Sequence, residues 1–285
     1  MSIRKLGVAL AAAGLALATA ACGSDAGNTG GDTTASGDSS GSSETMKIGI
    51  KFDQPGLGLK VGEEYSGLDV SVATYVAGKL GVTPENIEWV ESPSAQREDL
   101  IETGQVDLIF ATYSITDKRK ERVSFAGPYF IAGQGLLVRA DDNSITGPET
   151  LAGKKLCSVT GSTPAQKIKD QYPDVQLQEV GTYSECLPAL TAGSLDAMTT
   201  DDTILAGFAS QEQYAGQLKL AGEPFSEELY GVGLKKGDTA LCEKVNAALT
   251  EMVADGSWDK AVEDNLGAAD YTPGPGNPPT PAACT

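Results

Sequence analysis

Apolar positions change period in a regular way along this chain. Residues 47–52, 87–90 and 106–110 read as short buried strands. Between them the spacing becomes helical: Val72, Tyr75, Val76 and Leu80 share one face of residues 69–80, and residues 96–103 predict a second helix. That apolar stripe is predicted core. The alternation resumes with a strand before the turn Gly161-Ser162-Thr163 and helices over residues 164–170, 184–192 and 203–209. Strands alternating with amphipathic helices predict an α/β fold with a largely parallel sheet.

Two stretches echo each other. Gly104-Gln105-Val106-Asp107-Leu108-Ile109 and Gly193-Ser194-Leu195-Asp196-Ala197-Met198 each follow a helix and open a strand, so Thr112 and Asp201 fall at equivalent points. One half of a site is expected in each lobe. Ligands of open α/β sheets sit beyond the carboxyl ends of the strands, and Lys51, Ser114, Ser162 and Asp201 all lie just past such ends. Four strand ends therefore nominate one cleft. The segment from Ala111 to Arg119 (ATYSITDKR) delivers hydroxyls, backbone amides and one arginine to the end of a buried strand, a combination suited to a carboxylate.

The chain ends narrow the picture. Arg4 and Lys5, an apolar stretch over residues 6–18 and the small residues before Cys22 predict a secretory signal over residues 1–21. That stretch is short for a bilayer span. Residues 23–45 are nearly all Gly, Ser, Thr, Asp and Ala, which predicts a flexible tether of r.m.s. span ~25 Å. The tail, residues 268–285, is rich in Pro and Gly and is expected to lack regular structure except near its end.

Charge and composition then exclude function classes. A formal net charge of −18 argues against nucleic acid and against basic-patch binding to anionic lipid. Screening confines this field to about 8 Å at physiological salt, so a few local Lys and Arg still decide whether an anion binds. The chain has no His, which removes Ser-His and Cys-His nucleophile activation and the commonest transition-metal ligand. No metal or cofactor is expected. Four cysteines follow Cys22; in an exported chain they predict two disulfides, with three pairings formally open and Cys157–Cys186 and Cys242–Cys284 favoured.

Further blocks join the segment from Ala111 to Arg119: Gly67-Leu68-Asp69-Val70-Ser71-Val72-Ala73, Ser92-Pro93-Ser94-Ala95-Gln96-Arg97 and Leu156-Cys157-Ser158-Val159-Thr160-Gly161-Ser162-Thr163-Pro164-Ala165. Together they resemble the family 3 solute-binding proteins of polar amino-acid ABC importers, and the last two look like that family's glutamate-binding lipoproteins. The resemblance implies a two-lobed, type II periplasmic-binding-protein-like fold with a hinged interlobe cleft. Lobe 1 would span residues 46–136, lobe 2 residues 137–229 and a return to lobe 1 residues 230–267, with crossings near residues 134–138 and 228–231. It implies a lipid on Cys22, anchoring on the extracytoplasmic face of the cell membrane, a monomeric binder, and an ABC permease with its ATPase as partners.

Roles follow from the same resemblance. Arg119 with Ser114 and Thr116 would hold an α-carboxylate, which a planar guanidinium matches better than an ammonium does. Alone, Arg119 beside Lys118, Lys120, Glu121 and Arg122 reads as a solvated helix face. Ser162 and Thr163 at a helix N-terminus would add amide donors, and Asp201 would take the ammonium. Arg97, three residues after Ser94, and Lys51 match basic positions of the acidic amino-acid binders, so L-glutamate is the expected ligand, with aspartate or glutamine as alternatives. A dehydratase-like enzyme or a sensory module on the same fold are the competing classes.

Overall fold

The computed structural model describes residues 45–284. The expected signal segment, the lipidation site Cys22 and nearly all of the tether lie outside the described residues.

The chain runs β1 (Met46–Ile50), β2 (Asp53–Gln54), β3 (Gly58–Val61), β4 (Glu64–Ser66), α1 (Leu68–Lys79), β5 (Ile87–Glu91), α2 (Arg97–Glu102), β6 (Leu108–Ile109), α3 (Asp117–Lys120), β7 (Ser124–Ala132) and β8 (Gln134–Arg139). It continues through β9 (Lys155–Val159), α4 (Thr163–Gln171), β10 (Gln176–Val180), α5 (Leu187–Thr191), β11 (Ala197–Asp201), α6 (Asp202–Ala209), β12 (Leu218–Leu220), β13 (Glu228–Leu234), α7 (Thr239–Ala254) and α8 (Ser257–Leu266).

Two five-stranded sheets organise these elements, in the orders β5-β1-β6-β13-β7 and β10-β9-β11-β8-β12. In each, three strands pair in parallel, β5-β1-β6 and β10-β9-β11. The remaining strands are antiparallel, β13 beside β6 and β7, and β8 beside β11 and β12. The expectation of a parallel sheet therefore covers the three-stranded heart of each lobe. The antiparallel additions arise because the chain crosses between lobes as extended strand, entering each sheet from the far side.

The first crossing is a single residue, Gly133, between β7 and β8. Residues 134–138, expected to be the crossing, already pair with β11. Residues 228–231, expected to be the return, already belong to β13, so that crossing falls over residues 221–227. The helix expected over residues 184–192 divides into a 3₁₀ turn, Tyr183–Cys186, and α5. Pro188 explains the break: without an N–H it fits only the first turn of a helix.

The largest apolar cluster runs through both lobes, taking in Leu137, Val159 and Met198 of the second sheet, and a smaller one belongs to lobe 2 alone. Val72 and Val76 of α1 are buried against Ile48, Ile50 and Leu108 of the first sheet, whereas Leu136, Leu156, Ile168 and Ala197 cluster in the second. Each such burial contributes about 1.5–3 kcal/mol before chain entropy is subtracted. Cys157 of β9 is joined to Cys186, 29 residues on, and Cys242 of α7 to Cys284. The first bridge limits the unfolded chain by ~3 to 4 kcal/mol on the chain-entropy model.

Gly67 starts α1 with φ 119°, and a Cβ there would lie 2.0 Å from the Leu57 carbonyl oxygen, which receives the Asp69 amide. Gly67→Ala is expected to lower unfolding free energy by about 2–4 kcal/mol. Chemical denaturation checks this; an unchanged midpoint would show that the turn relaxes freely.

Candidate functional site

The site lies where the carboxyl ends of both sheets face each other. From lobe 1, β5 ends at Glu91 and the chain turns through buried Ser92 and Ser94 into α2, whose first residue is Arg97. The Arg97 Nε–H donates to the Ser92 carbonyl at 3.2 Å. Beyond β6, Thr112 adopts φ 47° and donates its amide to Asp69 Oδ2 at 3.0 Å. That bend brings Ser114 to a bridge with Tyr230 and leads into α3, where the Thr116 hydroxyl accepts the Arg119 amide at 3.2 Å.

Arg97 and Arg119 converge on one ring. Their guanidinium carbons lie 5.0 and 4.9 Å from the Tyr113 centroid, within cation–π range. Burial and the neighbouring Arg119 charge both push Arg97 below the usual arginine range. Glu98 balances the pair, with Oε1 3.4 Å from Arg119 Nε and accepting the Tyr113 hydroxyl at 2.9 Å. Arg119 also reaches across the cleft: Nη1 donates to Ser114 O at 2.7 Å, and Nη2 to Gly161 O of lobe 2 at 3.1 Å. Three of its five N–H groups thus face protein acceptors in this closed arrangement.

Lobe 2 supplies the opposite wall. Gly161, at φ 78°, sits so close to lobe 1 that a Cβ would lie 2.8 Å from Ala95 Cα. Ser162 caps α4, its Oγ accepting the Ala165 amide at 3.1 Å. Thr163 Oγ1 lies 3.1 Å from Ser114 Oγ across the cleft and donates to Glu228 Oε2 at 2.9 Å. Asp201 ends β11, is 3% exposed, and accepts the Tyr230 hydroxyl on Oδ2 at 2.7 Å. Its Oδ1 is buried without a protein partner. Burial, then the nearby Glu228, push the Asp201 carboxyl well above the usual carboxylate range.

Ser94, Arg97, Arg119, Ser162, Thr163 and Asp201 therefore meet around an inner cavity of about 10 Å³, room for one water. It adjoins an outer cavity of about 410 Å³ at the cleft mouth, lined by Thr116 as well as Arg119 and Ser162. Ser114 touches the site through Thr163. Lys51 lines neither cavity. It is buried behind Arg97 with Nζ unbonded, 3.7 Å from Asp53 Oδ1 and 5.8 Å from the Tyr183 centroid. Burial lowers its ammonium to about 8, with the Asp53 carboxylate opposing that shift.

Several participants carry no signature in residue spacing. Tyr113 and Glu98 sit beside expected residues, but their roles depend on folding α2 against the turn after β6. Tyr183 lines the inner cavity from lobe 2, and Tyr230 arrives from β13. Asp69 was visible only as part of a sequence block. It is wholly buried, and accepts the Tyr129 hydroxyl at 2.6 Å besides the Thr112 amide. Among the described residues no group of three or more His, Cys, Asp or Glu could hold a metal ion.

The fold and the interlobe site are those of a hinged binding protein. A family model for bacterial extracellular solute-binding proteins, family 3, matches residues 46–268, and the chain belongs to that family. The glutamate-binding protein GluB of Corynebacterium glutamicum is 50% identical over 253 residues, covering 82% of this chain and 85% of that protein. The glutamine-binding protein GlnH of Bacillus subtilis is 36% identical over 220 residues, with coverage of 76% and 79%. Among solved structures, an ancestral arginine-binding protein bound to glutamine gives a TM-score of 0.73 at 35% identity, covering 78% of this chain and 98% of its own. The chain is thus a solute-binding protein and not an enzyme.

Burial raises the Asp69 carboxyl from the usual 3.8 to about 6, against the opposing pull of the Tyr129 hydroxyl and the Arg97 charge. The folded chain therefore holds this proton more tightly than the unfolded chain does. The resulting stability is full below pH about 4 and is lost as pH rises through about 6. The melting temperature of the wild type relative to Asp69→Asn is expected to fall between those pH values. A constant difference would place the titration elsewhere.

Proposed function

We propose that this protein is the extracytoplasmic binding subunit of an ABC importer and captures L-glutamate between its lobes. The observation that carries this reading is the charge pattern: buried Arg97 and Arg119 share the inner cavity with buried Asp201, which has an unpaired carboxyl oxygen, while buried Lys51 lies outside that cavity. Two guanidinium groups and one buried carboxyl, with Lys51 adding charge from outside the cavity, complement a molecule with two carboxylates and one ammonium. The 50% identity to a glutamate-binding protein supports the same assignment.

Arg119 takes the α-carboxylate, exchanging its bond to the Gly161 carbonyl for the ligand as the lobes part. The N-terminus of α4, with Ser162 and Thr163, adds donors and a favourable dipole from lobe 2. Asp201 and Ser114 accept from the ammonium. Arg97 and Ser94 hold the side-chain carboxylate, and Lys51 contributes charge from behind Arg97 rather than contact. Thr116 serves by capping α3, which fixes the Arg119 backbone. The lobes part about Gly133 and residues 221–227, and closure around ligand presents the form that a permease recognises.

Glutamine would leave the Arg97 guanidinium desolvated without its anion, which is costly in a buried site. Calorimetric titration of the soluble domain against glutamate, aspartate, glutamine, asparagine and arginine is expected to rank glutamate first. Arg97→Ala should weaken glutamate about 100-fold and glutamine less than about tenfold. Equal losses for both ligands would remove Arg97 from side-chain recognition, and a preference for a neutral or basic amino acid would overturn the glutamate assignment.

At the chain's start, the signal segment over residues 1–21, the small residues before Cys22 and the tether support a lipid anchor on the cell membrane. Metabolic labelling with a palmitate analogue should mark the wild type and not Cys22→Ser, which should be released to the medium. Equal retention of both forms would exclude the anchor.

A further inference from the structure

The segment after α8 continues past the part of the chain that matches the family. After a 3₁₀ turn, Gly267–Ala269, it forms neither helix nor strand, yet it is bonded along its length. Asn277 accepts the Ile131 amide at 2.9 Å and donates to the Ile131 carbonyl at 2.7 Å. Ala282 donates its amide to Gly127 O at 2.7 Å, and Cys284 is bonded to Cys242. These contacts run along β7, the edge of the first sheet, and satisfy backbone groups that an edge strand leaves open. That accounts for residues 277–284 as cover.

Tyr271 does something different. Its ring lies 6.5 Å from that of Phe130 in β7, and its hydroxyl donates to Asp202 Oδ2 at 3.1 Å. Asp202 opens α6 in lobe 2 and is locked to the crossing residue from both directions. The Gly133 amide donates to Asp202 Oδ1 at 3.1 Å, and the Asp202 amide donates to Gly133 O at 2.7 Å. A residue strapped to lobe 1 thus grips lobe 2 at the hinge, one position from Asp201.

We propose that Tyr271 is a positioning residue for ligand capture, bracing Asp202 and Gly133 so that the lobes stay closed. Only Gly133 separates β7 from β8. Rotation there must move Asp202 relative to Phe130 and Tyr271, so opening breaks the hydroxyl–carboxylate bond. A partly buried carboxylate then loses a donor, which opposes opening. The strap sets where Tyr271 stands: Cys284 and Asn277 anchor its far end, and α8 its near end through the Trp258 Nε1–H bond to Tyr129 O at 2.8 Å. The inference rests on the proposed function only in that a ligand enters between the lobes.

Tyr271→Phe keeps the ring and removes the donor. In the ligand-free protein, amides of Gly133 and Asp202 should exchange with deuterium about tenfold faster than in the wild type, with unfolding temperature nearly unchanged. Titration with L-glutamate should show a dissociation constant raised by a similar factor, carried by faster release. Paired replacement Cys242→Ser with Cys284→Ser, which frees the strap's end, should shift both readouts in the same direction. Unchanged exchange at Gly133 and Asp202 in Tyr271→Phe would overturn the proposal, as would an affinity loss matched by a general loss of stability. Should glutamate fail to bind the wild type, the glutamate assignment falls and the exchange measurement still decides the role of Tyr271.

Discussion

Arg97 and Arg119 hold their positive charges within 5.0 and 4.9 Å of the Tyr113 ring centroid, both nearly removed from water. Like charges this close repel, and burial strips the solvent that would screen them. The pair persists because surrounding groups accept its hydrogen bonds or offset its charge: the carbonyls of Ser92, Ser114 and Gly161, and the Glu98 carboxylate. One of those carbonyls belongs to the other lobe. The charge that lines the cleft is therefore also part of what draws the lobes together.

The remaining architecture positions those acceptors. Asp69, buried at the start of α1, bends the chain at Thr112 and so aims Ser114 and α3 at the cleft. Gly161 lets the turn before α4 come against Ala95, close enough for its carbonyl to meet Arg119. Tyr230, on the returning strand, ties Asp201 of lobe 2 to the bridge at Ser114. Each link crosses between elements far apart in sequence, so the site exists only when both lobes are folded and near each other.

Much of this was legible in the sequence, because strand and helix periods depend on local burial, and each nominated strand end carried a distinctive polar residue. The α/β alternation and the helical stripe containing Val72 and Val76 follow from periodicity alone. The order of blocks from Gly67 to Ala165 carried the family, and with it a set of side chains of which six surround the inner cavity. Where a proline intervened, local pattern misled: Pro188 split a helix.

Tertiary structure decided what each charge faces. Lys51 and Arg97 look alike as basic residues after strand ends, yet one is enclosed beside Asp53 and the other lines the cavity. Tyr113, Glu98 and Tyr230 gained their roles from packing across elements, which no spacing rule encodes. The Pro- and Gly-rich tail offers no period to read, and its bonds to Ile131, Gly127 and Asp202 depend on an edge strand and a hinge brought near it by the rest of the fold. Sequence determined which chemical groups the protein has and which local elements carry them. Only the fold determined distance and desolvation, and these set the strength of every electrostatic contact in the cleft.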